Sequence, residues 1–288
     1  ITAAAGSIGV IIPPSIPFVI YGVVSGASVG EMFLAGIIPG IIIGLALMLV
    51  SYVISRKKGY VGGDEKPSAK RFFMALKDSI WALLVPGIIL GGIYGGIFTP
   101  TEAAVVAVVY ALIIGKFVYK ELDFKKMYAS FKEAALINGA TTFMIGLSMS
   151  FASYLTMDQI PAKIANSLIM LTDNRFVILI LINLFLLVVG CFVDNISSMI
   201  ILTPIFLPVV VKYGIDPVHF GLFMTVALAT GFVTPPYGAN LFVASAISGV
   251  KMEVISKHMV PFMLALIFCL FLFTFVPSLS MLLPQLLR

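Results

Sequence analysis

Three short polar strings sit inside otherwise apolar runs, and they are where this sequence could do chemistry. They are "GSIGVIIPPS" (6–15), "DNISS" (194–198) and "TGFVTPPYGAN" (230–240). An apolar helix interrupted by Gly-x-x-x-Pro-Pro leaves backbone groups unpaired at membrane depth, and these are tolerated where they line a cavity or bind something. Freed carbonyls, hydroxyls and amides suit a hard cation such as Na+, and exposed half-helix N-termini suit an anion. The spacing therefore predicts Na+ ligands among Gly6, Ser7, Gly9, Asp194, Asn195, Ser198, Thr234, Gly238 and Asn240. It predicts solute contacts among Ser15, Asn195, Ser197, Thr230 and Thr234. Asp194 is the main ionisable residue deep within an apolar run, and such residues are costly and usually functional. The plainer alternatives are that the Pro-Pro pairs only kink helices, with Ser and Thr bonding back to them, and that Asp194 lies in an aqueous loop.

Other chemistry is poorly supplied. No Lys or Arg falls in the middle of a span, so an anionic solute must be met by helix N-termini, hydroxyls, Asn195 or a co-transported cation. His219 and His258 fall near span ends, which supports neither a proton relay nor an intramembrane protease, and no His-Glu-x-x-His occurs. The sequence is not expected to be an enzyme. Cys191 and Cys269 are each embedded in an apolar run and read as inert packing residues. Glu31 and Glu253 sit near helix starts, where dipole and interface roles suffice, and Trp81 reads as an interface anchor.

The elements that must position these strings are membrane helices. Of 288 residues, 60% are hydrophobic and 11% charged, too few charges to cover a soluble surface. Continuous apolar runs of about 17–25 residues recur, which favours spanning helices over a β-barrel. Helices are predicted near 1–24 (broken by Pro13 and Pro14), 31–55, 77–98, 101–119, 133–156, 217–249 and 258–284. A basic loop is expected over 56–71, an amphipathic basic segment over 120–132, and an interfacial stretch over 158–175. The run 176–193, the break at 194–198 and the 13-residue arm 199–211 predict a re-entrant hairpin with its polar tip inside the membrane. Alternation then places 14 of 18 Lys and Arg on the cytoplasmic side, a strong positive-inside bias. The net charge of +5 is topology, not a nucleic-acid surface.

The strings also repeat. "GVIIPPS" from Gly9 and "GFVTPPY" from Gly231 lie 222 residues apart, and the same offset maps Glu31 on Glu253 and Pro39 on Pro261. Ser25-Gly26 and Ser248-Gly249 correspond within one residue. In the topology above the copies run in opposite directions, an inverted repeat of the kind found in secondary transporters. The counterpart of the hairpin tip would fall before Ile1, so the start of the chain reads as an interior point of a longer protein.

With those residues in view, four stretches resemble a known family. "GSIGVIIPPSIPFVIYG" (6–22), "GIYGGIFTPTEAAVVAVVYAL" (92–112), "DNISSMIILTPIFLPV" (194–209) and "GFVTPPYGANLF" (231–242) are similar to the large membrane subunit of tripartite ATP-independent periplasmic (TRAP) transporters. The resemblance runs along nearly the whole chain. It implies an all-α polytopic membrane protein with an inverted-repeat, elevator-type fold of re-entrant hairpin and broken helices. Residues 6–15 would be the first broken helix, 194–198 the tip of the second hairpin and 231–240 the second broken helix. By domain, it implies transport-domain segments at 1–55 and 176–288, a cytoplasmic loop at 56–76, scaffold helices at 77–157 and an interfacial segment at 158–175. It further implies Na+-coupled import of a small organic acid, of the sialic acid or C4-dicarboxylate class, across the bacterial inner membrane. The expected partners are a small membrane subunit, a periplasmic substrate-binding protein, the lipid bilayer and a small anionic solute. A stand-alone anion/Na+ symporter of the same fold group is the alternative, and a channel fits less well because the polar positions form breaks and not a continuous stripe.

Overall fold

Helix is the form these apolar stretches take because it satisfies their backbone N–H and C=O groups within each segment. The computed structural model describes residues 1–60, 68–172 and 174–287, and all regular structure among them is helical. Among the described residues six helices are long and apolar enough to cross a membrane, so the chain is an all-α polytopic membrane protein. Part of the basic loop expected over 56–71, including Lys66, lies outside the described residues, as does Arg288.

The chain divides into two units, Ile1–Lys57 with Met144–Arg288, and Lys58–Phe143. In the first unit the chain runs through α1 (Thr2–Gly6), a 3-10 turn (Ser7–Val10), α2 (Ile16–Ser25) and α3 (Val29–Lys58). Later, after α4 (Ala69–Tyr94) and α5 (Pro100–Ile113) of the second unit, come the second half of α6 (Phe124–Met157), then α7 (Ile160–Leu171), α8 (Arg175–Gly190), α9 (Asn195–Lys212) and α10 (Pro217–Gly231). It closes with α11 (Ala239–Ser248), α12 (Met252–Phe275) and α13 (Ser278–Leu287). At the centre is α10, buried at every residue from Val218 to Gly231. A helix apolar on all sides belongs inside, and α2, α8, α9, α12 and α13 pack around it.

Two close approaches fix what lies against α10. The Tyr21 ring of α2 covers Gly221, leaving no room there for a Cβ, and its hydroxyl donates to the Pro217 carbonyl at 2.6 Å. At the last residue of α10 the backbones of Gly190 and Gly231 touch, so that a Cβ on Gly231 would collide with Gly190. The end of α8 is thereby held at the end of α10.

The internal repeat is visible as elements. α2 and α11 each have ten residues and each ends at a left-handed glycine, Gly26 (φ 75°) and Gly249 (φ 68°). Each leads into a long helix with an internal proline, Pro39 in α3 and Pro261 in α12. Both Pro-Pro pairs, Pro13-Pro14 and Pro235-Pro236, are cis. α2 packs on α10 and α1 on α11. The leading half of each broken helix thus rests on the trailing half of the other, the pattern of an approximate internal two-fold.

Several boundaries differ from those expected. The run 217–249 is two helices, α10 and α11, parted at 232–238. The last helix is also two, because Pro277 lacks an N–H and ends α12. The amphipathic segment 120–132 is not a separate arm. Asp123 caps α6 by accepting from the Lys126 amide at 2.7 Å, and no Gly or Pro follows before Gly139, so the helix runs unbroken to Met157. Its second half groups with the first unit, where Met149, Ala152 and Met157 line a crevice with Val23, Ile200 and Pro204. The scaffold boundary expected at 157 therefore stands against a unit boundary at 143. Finally, the second hairpin arm has 18 residues, not 13, and is by length and composition a candidate span. The polar string at its start is the first turn of the helix.

The second unit holds α4 (Ala69–Tyr94), α5 (Pro100–Ile113) with a π turn (Ile114–Val118), and the beginning of α6. Thr99 and Glu102 form a reciprocal capping box at the start of α5. α4 and α5 pack antiparallel, tied by Tyr110 Oη donating to the Trp81 carbonyl (3.0 Å) and Tyr119 Oη to that of Asp78 (2.8 Å).

Candidate ion and solute site

The turn 191–194 joins α8 to α9, and Asp194 starts α9 by accepting from the Ser197 amide at 3.0 Å. That is N-cap work, which satisfies one of the free N–H groups of a helix start. Asp194 is half-buried. The next turn carries Asn195, Ser197 and Ser198, all buried. Both polar atoms of the Asn195 amide and the hydroxyl of Ser198 have no hydrogen-bond partner. Such orphans cost about 1–3 kcal/mol each when nothing answers them. Asn195 therefore offers an acceptor to a cation and a donor to an anion from one side chain.

The facing break is built by 232–238. Its ends are closed by Thr234 N donating to Gly231 O (3.0 Å) and Asn240 N to Phe232 O (3.0 Å). Among the described residues, the carbonyls of Val233, Thr234, Pro235 and Pro236 accept no hydrogen bond. Gly238 is buried and at positive φ (31°), a conformation glycine adopts at low cost. The contact of Gly190 with Gly231 brings this break to the hairpin turn. Cys191 is free and buried, and its thiol donates back to the Leu187 carbonyl of α8 at 3.1 Å.

Not every predicted residue is free to act. Thr230 and Thr234 hydroxyls donate back to the carbonyls of Val226 (2.8 Å) and Thr230 (2.9 Å). Ser15 is committed twice, donating to Val10 O at 2.6 Å and capping α2 through the Phe18 amide. Asn240 turns to the first repeat, where its amide donates to Ala3 O at 3.1 Å and covers Gly6 so closely that a Cβ there would come within 2.8 Å. Ser7 is fully buried with an unpartnered hydroxyl, whereas Gly9 is exposed and faces open space. The structure thus joins the hairpin turn to the second break through Gly190 and Gly231, and Asn240 to Gly6. Among the described residues no group of three His, Cys, Asp or Glu could hold a metal. Besides the Asp194 carboxylate, the donors on hand are neutral oxygens, which suit a weakly bound hard cation.

A second buried polar cluster escaped the sequence reading. His219 places Nδ1 2.7 Å from Ser280 Oγ and Nε2 3.3 Å from the Thr274 carbonyl. Asn183 donates to the Leu179 carbonyl and to Thr274 Oγ1, both at 3.0 Å. This cluster ties α8, α10, α12 and α13 together. Asn183, a single polar residue in "FVILILINLFLLVVG", is its sequence signal; His219 does lie at the start of α10, and only the packing of α12 and α13 over that end shows it to be buried.

Known proteins resemble this sequence. The sequence profile of the family described as tripartite ATP-independent periplasmic transporter, DctM component, matches residues 1–279. The chain is 47% identical to the isethionate TRAP transporter permease protein DctMQ of Oleidesulfovibrio alaskensis, over 98% of this chain and 44% of that relative. It is 37% identical to the sialic acid TRAP transporter permease protein SiaT of Haemophilus influenzae, over 100% of this chain and 46% of the relative. To the C4-dicarboxylate TRAP transporter large permease protein DctM of Pseudomonas aeruginosa it is 38% identical, over 99% of this chain and 66% of the relative. The chain thus spans less than half the length of the first two.

Proposed function

Since this chain belongs to the DctM component family of tripartite ATP-independent periplasmic transporters, we propose that it forms the ion- and solute-binding part of a Na+-coupled organic-acid importer. The matched relatives are transporter permeases, not enzymes, and the chain is a multi-pass protein of the bacterial inner membrane. The observation that carries the Na+ reading is the set of buried, unpartnered side chains, in which Ser7, Asn195 and Ser198 all recur from the predicted ligands. The free carbonyls of the 233–236 break add oxygens beside the hairpin turn.

The solute would be a small organic acid, since the relatives carry isethionate, sialic acid or C4-dicarboxylates by name. Its charge would be met by the Asn195 amide, the N-terminal end of α9 and the bound cation. Transport would follow an elevator motion, with hairpin and broken helices carried together, and would need a small membrane subunit and a periplasmic binding protein. Support for the shared motion comes from the backbone contact of Gly190 with Gly231.

The test is uptake into proteoliposomes holding the complete transporter and its binding protein. An inward Na+ gradient is expected to drive uptake, and a proton gradient alone is not. Equal uptake under both gradients refutes Na+ coupling, and uptake independent of the binding protein favours a stand-alone symporter.

A further inference from the structure

In the second unit α5 packs along α4, while between α5 and the first turns of α6 lies a cavity of about 760 Å³. That volume is in the range of small-molecule sites. The turn that creates it is tight. The Gly115 carbonyl receives the amides of both Glu121 and Leu122 at 3.1 Å, and Lys120 takes a left-handed conformation (φ 54°). Val108, Leu112 and Met127 supply an apolar wall, and Glu121, Lys126 and Glu133 supply three charges. The Lys126 ammonium is held in place by donating to the Glu121 carbonyl at 2.9 Å.

The depth of this cavity follows from helix length. α6 has 34 residues and is about 51 Å long at the α-helical rise. This exceeds the roughly 30 Å hydrocarbon core. Its charges, Lys125, Lys126, Lys132 and Glu133, all fall in its first ten residues, so this end lies in the headgroup layer. Exposed Phe117, Phe124 and Phe131 accompany it, as aromatic rings do at that level.

We propose that the wedge between α5 and the start of α6 binds one phospholipid whose headgroup carries a primary ammonium. The acyl chains lie on the apolar wall, the phosphate meets Lys126, and the ammonium meets the carboxylates of Glu121 and Glu133. Two carboxylates face one ammonium in the lining, so a headgroup that brings its own ammonium answers the carboxylate left over, and an anionic glycerol headgroup answers neither. A quaternary choline cannot donate hydrogen bonds to the carboxylates, and a primary amine donates three. A hydrophobic partner helix would leave all three charges unanswered.

The chain is placed in nanodiscs of phosphatidylcholine with a trace of phosphatidylethanolamine bearing a photoactivatable acyl chain. Irradiation is expected to label peptides within 108–134. Unlabelled phosphatidylethanolamine should displace the probe at least tenfold more effectively than phosphatidylglycerol or phosphatidylcholine. The pair Glu121→Gln with Glu133→Gln should cut the labelling at least fivefold. If all three lipids compete equally, the contact is ordinary bilayer lipid and the site does not exist. If no label appears within 108–134 in the wild-type chain, something other than lipid fills the wedge, and the proposal fails without recourse to any variant.

Discussion

At the scale of single residues, buried polar atoms without partners separate from those already employed. Asn195 and Ser198 belong to the first group, Ser15 and Thr230 to the second. Asn195→Ala and Ser198→Ala are each expected to raise the Na+ concentration for half-maximal uptake by about ten- to a hundredfold, the equivalent of about 1–3 kcal/mol, with expression retained. Wild-type Na+ dependence in stably expressed variants would remove both from the site. Ser15→Ala should do the reverse. Losing the cap of α2 costs about 0.5–2 kcal/mol, so thermal stability should fall while Na+ and solute dependence hold. A shifted solute dependence in that variant would return Ser15 to the solute contacts. The polar strings were legible in sequence because each interrupts an apolar run. What could not be read was the occupation of each hydroxyl. Ser15 and Ser7 look alike in sequence, and only the fold shows that one bonds Val10 and the other bonds nothing.

At the scale of elements, spans that stand between clear stops were placed well and those with soft ends were not. The prediction of 31–55 lies within α3, Val29–Lys58, and Pro13-Pro14 and Pro235-Pro236 mark the two breaks. Two of the differences share a cause: Asp194 and Asp123 are caps, not breakers, and caps start helices as readily as breakers end them. The hairpin turn is held to the second break by two glycines, and this contact can be tested directly. Gly231→Val should push α8 from α10 and abolish coupled uptake. Gly9→Ala, at a glycine of the first break that faces open space, should cost little. If Gly231→Val transports normally, the hairpin and the broken helix are not one body.

At the scale of the whole chain, the two units differ in kind. The first contains both breaks and the buried helix α10, whereas α4 in the second buries only Gly92. Transport by an elevator would keep 58–143 at a fixed depth and shift 190–240. Cysteine pairs accessible to a membrane-impermeant reagent in one state only should therefore map to the first unit. Depth changes confined to 58–143 would reverse the assignment. The interlocking of the broken helices has a further consequence, for the making of the protein. Ala3 bonds Asn240 across 237 residues, and Tyr21 bonds Pro217 across 196. At about 5–20 residues per second, a ribosome needs roughly ten to fifty seconds to supply Asn240 once Ala3 has emerged. For that interval α1 and α2 must wait in the bilayer without the partners that bury them. Insertion therefore precedes assembly by a long delay, and the nascent first segment is a client for whatever in the membrane shelters unfinished helices.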